Sequence, residues 1–178
     1  MSHPAPAEPI PNELASDSRF TVPAALEAEI NELISHYPQK RSASLMLLHA
    51  LQEHFGYLPK EAIEWTAQKL DLQPINIYEL VTFYPMFRQQ PIGRHHLRIC
   101  RTLSCALGGA YELRQHICER LGLDSNSHGP QTTRDGRFTV EFVECLASCG
   151  TAPVMMCNED FYEAVSDEKA DQILTKCT

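Results

Sequence analysis

The residues best suited to chemistry in this chain are thiols in two tight pairs: CRTLSC from Cys100 to Cys105 and CLASC from Cys145 to Cys149. A pair spaced C-x4-C or C-x3-C can grip one side of a metal centre from a single loop, and two such pairs make a four-thiolate set once a fold brings them together. The spacing leaves three chemistries open. Four thiolates hold zinc tetrahedrally. They equally hold a [2Fe-2S] cluster, whose plant-type pattern opens with C-x4-C. Disulfides are the third. They are disfavoured because the start, MSHPAPAEPIPNELASDS, has no positive stretch leading into an apolar core and is too acidic for a transit peptide, so reduced thiols in the cytoplasm are expected. Two features rank iron–sulfur ahead of zinc. The surrounding sequence has enough apolar side chains to fold without a metal staple. A helix expected after Cys105 would turn its N-terminal amides toward the first pair and favour an anionic centre, an advantage a zinc thiolate would share.

The other candidates read as structural. Cys118 falls within a helix, Cys157 in a strand and Cys177 on the apolar side of the last helix, all suited to packing. A Cys157–Cys177 bridge is conceivable, since both lie in the final quarter of the chain. His95 and His96 have no metal spacing and are expected at the surface. Glu27 with Glu29, and Asp167 with Glu168, fit solvated helix faces. Gly108-Gly109 is too short a motif for a dinucleotide, and no Gly-x-Gly-x-x-Gly follows a strand, so no site for NADH or flavin and no catalytic residue is assigned.

These thiols need a scaffold, and the composition supplies one. With 178 residues, 43% apolar and 21% charged, the chain has the make-up of a globular protein, and its net charge of -8 argues against nucleic acid as a partner. No run of eighteen apolar residues suggests a membrane span. Prolines 4, 6, 9 and 11 mark residues 1–20 as a mobile tail. Helical spacing then predicts four helices in residues 21–92. One runs from Pro23 to Pro38 and carries Leu26, Ile30, Leu33 and Ile34. A second starts near Ser42 or Ser44, carries Leu45, Leu48, Leu51 and Phe55, and stops at Gly56. A third runs from Pro59 to Leu70 and a fourth from Pro74 to Pro85, with Trp65 in the core of the resulting bundle.

The pattern changes in residues 93–178. Leu97 and Ile99 alternate in a strand that ends at Cys100; a helix from Gly108-Gly109 to Gly122 follows. After the Asp135-Gly136 turn, Phe138, Val140 and Phe142 alternate in a strand leading to Cys145. Two short strands, APVMMC and DFYEA, turn at Asn158-Glu159, and Ser166 caps a final helix. The fold class is therefore α+β: a helical bundle followed by an α/β sandwich of thioredoxin-like size with both cysteine pairs in loops at strand ends.

Taken together, CRTLSC followed by Gly-Gly, TTRDGRFTVEFVECLASCGTAP, TFYPMF and QPIGRH resemble the small iron–sulfur subunit of the NADH dehydrogenase module of respiratory complex I, the E-type subunit of bacteria and the 24 kDa subunit of mitochondria. The similarity spans about residues 20–178. It implies that residues 93–178 form a thioredoxin-like domain binding one [2Fe-2S] cluster per chain on Cys100, Cys105, Cys145 and Cys149. It also implies an electron-transfer role beside an F-type flavoprotein that holds FMN and NADH, with further iron–sulfur subunits, in the cytoplasmic peripheral arm of NADH:quinone oxidoreductase. Related subunits serve NAD-linked hydrogenases and formate dehydrogenases; a zinc-bound interaction module is the competing class. Two places depart from the family, Ala147 between the last two thiols and Arg101 with Leu103 between the first two. Ala147 stands where Gly is usual, so it is expected to avoid positive φ. Arg101 replaces a smaller residue and would raise the cluster potential if its charge faced the cluster, the alternative being a solvated side chain.

Overall fold

The computed structural model describes residues 20–127 and 129–177; the expected mobile tail therefore lies outside the described residues, Phe20 apart. The chain divides into two compact units between Phe87 and Arg88.

In the first unit, helix α1 (Ala24–Ser35) starts after Pro23, whose ring holds φ near -59°. A 3-10 turn at Lys40–Ala43 leads into α2 (Ser44–Phe55), which stops at Gly56 because that residue adopts φ +79° and returns its N–H to Gln52 O at 2.7 Å. Helices α3 (Lys60–Leu70) and α4 (Pro74–Phe83) complete the unit. Ile30, Leu47, Leu48, Leu51, Leu58 and Ile77 are fully buried at its centre, each contributing about 1.5–3 kcal/mol from burial. The inward stripe of α2 is rotated from the expected one: Leu47 is buried, while Leu45 and Phe55 are half-buried at the margin. Trp65 is half-buried as well and packs against the core rather than inside it.

The second unit is built on a five-stranded sheet of order β2-β3-β1-β4-β5, with β1 at His95–Cys100, β2 at Gln131–Thr132, β3 at Phe138–Val143, β4 at Met155–Cys157 and β5 at Asp160–Tyr162. Strands β1 and β3 are parallel and run in step from His95 opposite Phe138 to Cys100 opposite Val143. A parallel pair needs a crossover. Helices α5 (Leu103–Leu107) and α6 (Ala110–Leu121) lie on it, and α7 (Asp167–Lys176) closes the unit, capped by the Ser166 hydroxyl accepting from Lys169 N. Leu97, Ile99 and Val140 share one sheet face and join Leu113, Ile117, Ala170 and Ile173 in a single core.

Two elements were not expected from the sequence. Helix α5 occupies the loop between the first two thiols, too short for a 3.6-residue period to register. Strand β2 is two polar residues whose identity as a strand comes only from antiparallel pairing of Gln131 and Thr132 with β3.

Candidate metal centre

The parallel register of β1 and β3 brings their C-terminal ends to the same edge of the sheet. Cys100 is the last residue of β1, and Cys145 follows β3 by two residues. One alignment thus carries both thiol pairs to one place. Their settings differ from the expected pair of loops: Cys105 is in α5 and Cys149 opens a 3-10 turn, Cys149–Thr151, which leaves only Cys145 in irregular chain. Cys100 and Cys105 are 1% exposed, whereas Cys145 and Cys149 are exposed.

The four sulfurs form a connected group. Cys100 and Cys105 hydrogen-bond each other, Cys149 is near enough to act electrostatically on Cys105, and Cys149 Sγ lies 4.0 Å from Cys145 Sγ. Burial alone would push the Cys100 thiol up. The Thr102 hydroxyl at 3.2 Å, the backbone amides of Leu146 and Thr102, and the Cys105 thiol outweigh it and bring Cys100 below the ordinary thiol range. Cys105 is raised, first by burial, with the Val154 amide opposing and the charges of Cys100 and Cys149 adding to the rise. Backbone N–H groups therefore face three of the sulfurs: Leu146 toward Cys100, Val154 toward Cys105, and Ala147 toward Cys145 at 3.3 Å. Thiols that are mutually unfavourable when ionised, yet ringed by amide donors, fit an anionic thiolate-bound metal group.

Packing holds the two halves close. A Cβ on Gly108, at the end of α5, would stand 3.0 Å from Ala152 Cβ and 3.1 Å from Ser104 O, so any larger residue would push the segment after Cys149 away by a few tenths of an ångström. The 3-10 turn is tied down by Ser148 and Thr151, whose hydroxyls donate to Glu163 Oε1 at 2.6 and 2.7 Å.

Two expectations are corrected, for Ala147 and for the histidine pair, and at Arg101 the structure selects the solvated of the two readings. Ala147 does adopt positive φ, +62°, where glycine would be unstrained; its N–H then points at Cys145 Sγ, and the strain of about 1–2 kcal/mol is carried by the surrounding turn. Arg101 pairs with Glu144 at 2.6 Å, both half-exposed or more, so its charge is balanced locally and faces solvent. His95 and His96 are not surface residues. His96 is 7% exposed and meets Glu141 at 2.7 Å; Arg88 reaches the same carboxylate at 2.5 and 3.1 Å. Burial pushes Glu141 up, but His96 and Arg88 more than reverse this and hold it below the usual carboxylate range. Thr102 was readable inside the CRTLSC motif; Arg88 and Glu141, 53 residues apart, carried no local signal. Cys118, Cys157 and Cys177 are buried, as expected, and none is in a disulfide.

Residues 30–178 match the thioredoxin-like [2Fe-2S] ferredoxin family. The chain belongs to that family. It is 38% identical over 149 residues to E-type subunit 2 of the NADH-quinone oxidoreductase of Rhizobium meliloti (strain 1021), covering 84% of this chain and 86% of the relative. The corresponding E-type NADH-quinone oxidoreductase chain of Aquifex aeolicus (strain VF5) is 32% identical over 161 residues, covering 90% and 98%. Among solved structures, an NAD+-reducing [NiFe]-hydrogenase in the air-oxidised state superposes with TM-score 0.61 at 23% identity over 74% of this chain, which spans 22% of that longer chain. That likeness is one of fold.

Proposed function

We propose that the chain is the electron-transfer subunit of the NADH dehydrogenase module of an NADH:quinone oxidoreductase, with Cys100, Cys105, Cys145 and Cys149 as ligands of one [2Fe-2S] cluster. The observation that carries this reading is the convergence of four thiols, with amides turned toward them, at one end of the β1/β3 pair. A [2Fe-2S] group bound there supplies one-electron exchange with a flavin held elsewhere.

This chain's residues hold and insulate the site. Cys100 and Cys105 offer sulfurs from inside the core, Cys145 and Cys149 offer theirs from the surface, and Leu146 packs its side chain onto the core between them. The amides of Leu146, Ala147 and Val154 stabilise negative charge on sulfur. Leu103 and Leu107 flank Cys105 on α5 and are 74% and 82% exposed, an apolar surface beside the site that suits a protein partner. By analogy with the complex I relatives, that partner is an F-type flavoprotein carrying FMN and NADH, joined by further iron–sulfur subunits, in the cytoplasmic peripheral arm of the complex. No helix among the described residues is long and apolar enough to cross a membrane.

The test mixes NADH with the pure, flavin-free chain bearing its cluster and follows the visible absorbance. No bleaching is expected until the flavoprotein partner is added, because hydride arrives as two electrons and needs a flavin to divide it. Rapid reduction of the lone chain would reject the carrier role.

A further inference from the structure

The sheet carries a second constellation of metal-ligating side chains, on the strands that bear the first but built from other residues. A ring nitrogen of His95 and the sulfurs of Cys157 and Cys177 all lie within 4.8 Å of one another. The topology explains the meeting. Cys157 on β4 stands opposite Leu97 on β1, so it shares a sheet face with Leu97 and with His95 two residues earlier. That face is the one α7 covers, and Cys177 follows directly on α7. Arg137 fixes the end of the helix by donating from Nε and Nη2 to Cys177 O at 3.1 and 2.7 Å.

One observation marks this cluster as a site rather than packing, and a second is compatible with it. His95 Nε2 is buried without a hydrogen-bond partner, which costs about 1–3 kcal/mol in an ordinary core. The sulfurs of Cys157 and Cys177 stand 3.5 Å apart. That is far beyond a bonded pair at about 2.0 Å and near the roughly 3.8 Å that two sulfurs span when each sits 2.3 Å from a tetrahedral zinc ion. Both cysteines are nearly buried, at 4% and 9% exposure.

We infer that His95, Cys157 and Cys177 form a zinc site, separate from the four-thiol centre, that fastens the end of α7 to the sheet. Charge selects the ion. Two thiolates and a neutral imidazole around a divalent cation sum to zero, which suits a buried site, whereas a monovalent copper ion would leave a net negative charge there. Binding forms two Zn–S bonds and one Zn–N bond, the zinc keeps one of its own water molecules as the fourth ligand, and the two thiols release two protons to solvent; no electron moves.

The experiment uses the full chain with its iron–sulfur cluster assembled, under reducing, anaerobic conditions, equilibrated with zinc alone and then passed over a weak chelator. The expected result is one zinc per chain in the wild type. X-ray absorption at the zinc edge should give two sulfurs near about 2.3 Å and a nitrogen near about 2.0 Å. Cys177→Ser and His95→Ala should each weaken zinc binding at least tenfold while the cluster's visible absorbance, which reports a folded domain, stays unchanged. Zinc absent from the wild type, retained equally in Cys177→Ser, surrounded by four sulfurs, or displaced by a Cys157–Cys177 disulfide in reducing buffer would each overturn the site. Iron and zinc edges are read separately, so failure here leaves the proposed electron carrier untouched, and failure there leaves this site to stand.

Discussion

The two thiol pairs of the proposed cluster site reach the same place by different means. Cys100 and Cys105 are 1% exposed and belong to regular elements, the end of β1 and the short helix α5. Cys145 and Cys149 are exposed and hang from a turn containing a left-handed alanine, braced by Ser148, Thr151 and Glu163. One half is a feature of the core; the other is a strap laid against it. The division teaches that ligand geometry depends on whatever keeps β1 and β3 in step as much as on the ligands themselves. The Arg88–Glu141–His96 cluster does this, since Glu141 projects from β3 and His96 from β1.

The severest break is of the buried half. Cys105→Ser should abolish the cluster, whereas Cys118→Ser, equally buried but remote in role, should keep full iron and sulfide and the same electron paramagnetic resonance signal after reduction. A normal cluster in the first variant, or none in the second, would overturn the ligand assignment.

A smaller break acts on the alignment. Glu141→Gln should destabilise the domain by about 3 kcal/mol in urea denaturation at neutral pH, because it strips the counter-charge from Arg88 in a buried setting. The wild-type advantage also has a defined pH dependence. The folded pKa of Glu141 lies below its unfolded value, so its stabilisation is complete above the unfolded carboxylate pKa and is lost as pH falls through the lower folded one. The two proteins should converge in strong acid, and a gap that widened there would exclude this account.

The mildest change sharpens the strap. Ala147→Gly removes a side chain from φ +62° and should stabilise the chain by about 0.5–1 kcal/mol, the relief of strain being partly offset by the greater freedom of glycine when unfolded. Equilibrium denaturation of the variant beside the wild type measures it; a loss of stability would show that the alanine methyl contributes packing that outweighs the strain.

Much of this molecule is decided locally and so is legible in its sequence. Helices α1 to α4 follow from apolar spacing bounded by Pro23, Gly56 and Pro74, and β1 and β3 follow from alternation at Leu97, Ile99, Phe138 and Val140, because helix and strand periods are properties of a few consecutive residues. The paired spacing of Cys100, Cys105, Cys145 and Cys149 is likewise a short-range fact, which is why a metal-binding thiol set could be proposed from the chain alone, while the choice among zinc, iron–sulfur and disulfide leaned on the family resemblance. What the sequence could not decide depends on residues far apart meeting in space. Strand β2 exists only through its partner, and Ala147 takes a strained angle because the turn around it is over-determined. His96 is buried because Glu141, whose charge Arg88 balances, satisfies its ring nitrogen. His95, expected at the surface, and Cys157 and Cys177, expected only to pack, become a ligand set only when the antiparallel register of β1 with β4 places the first two on one face and the end of α7 closes over them. Register and helix docking are global solutions to burying a core, and no window of neighbouring residues contains them.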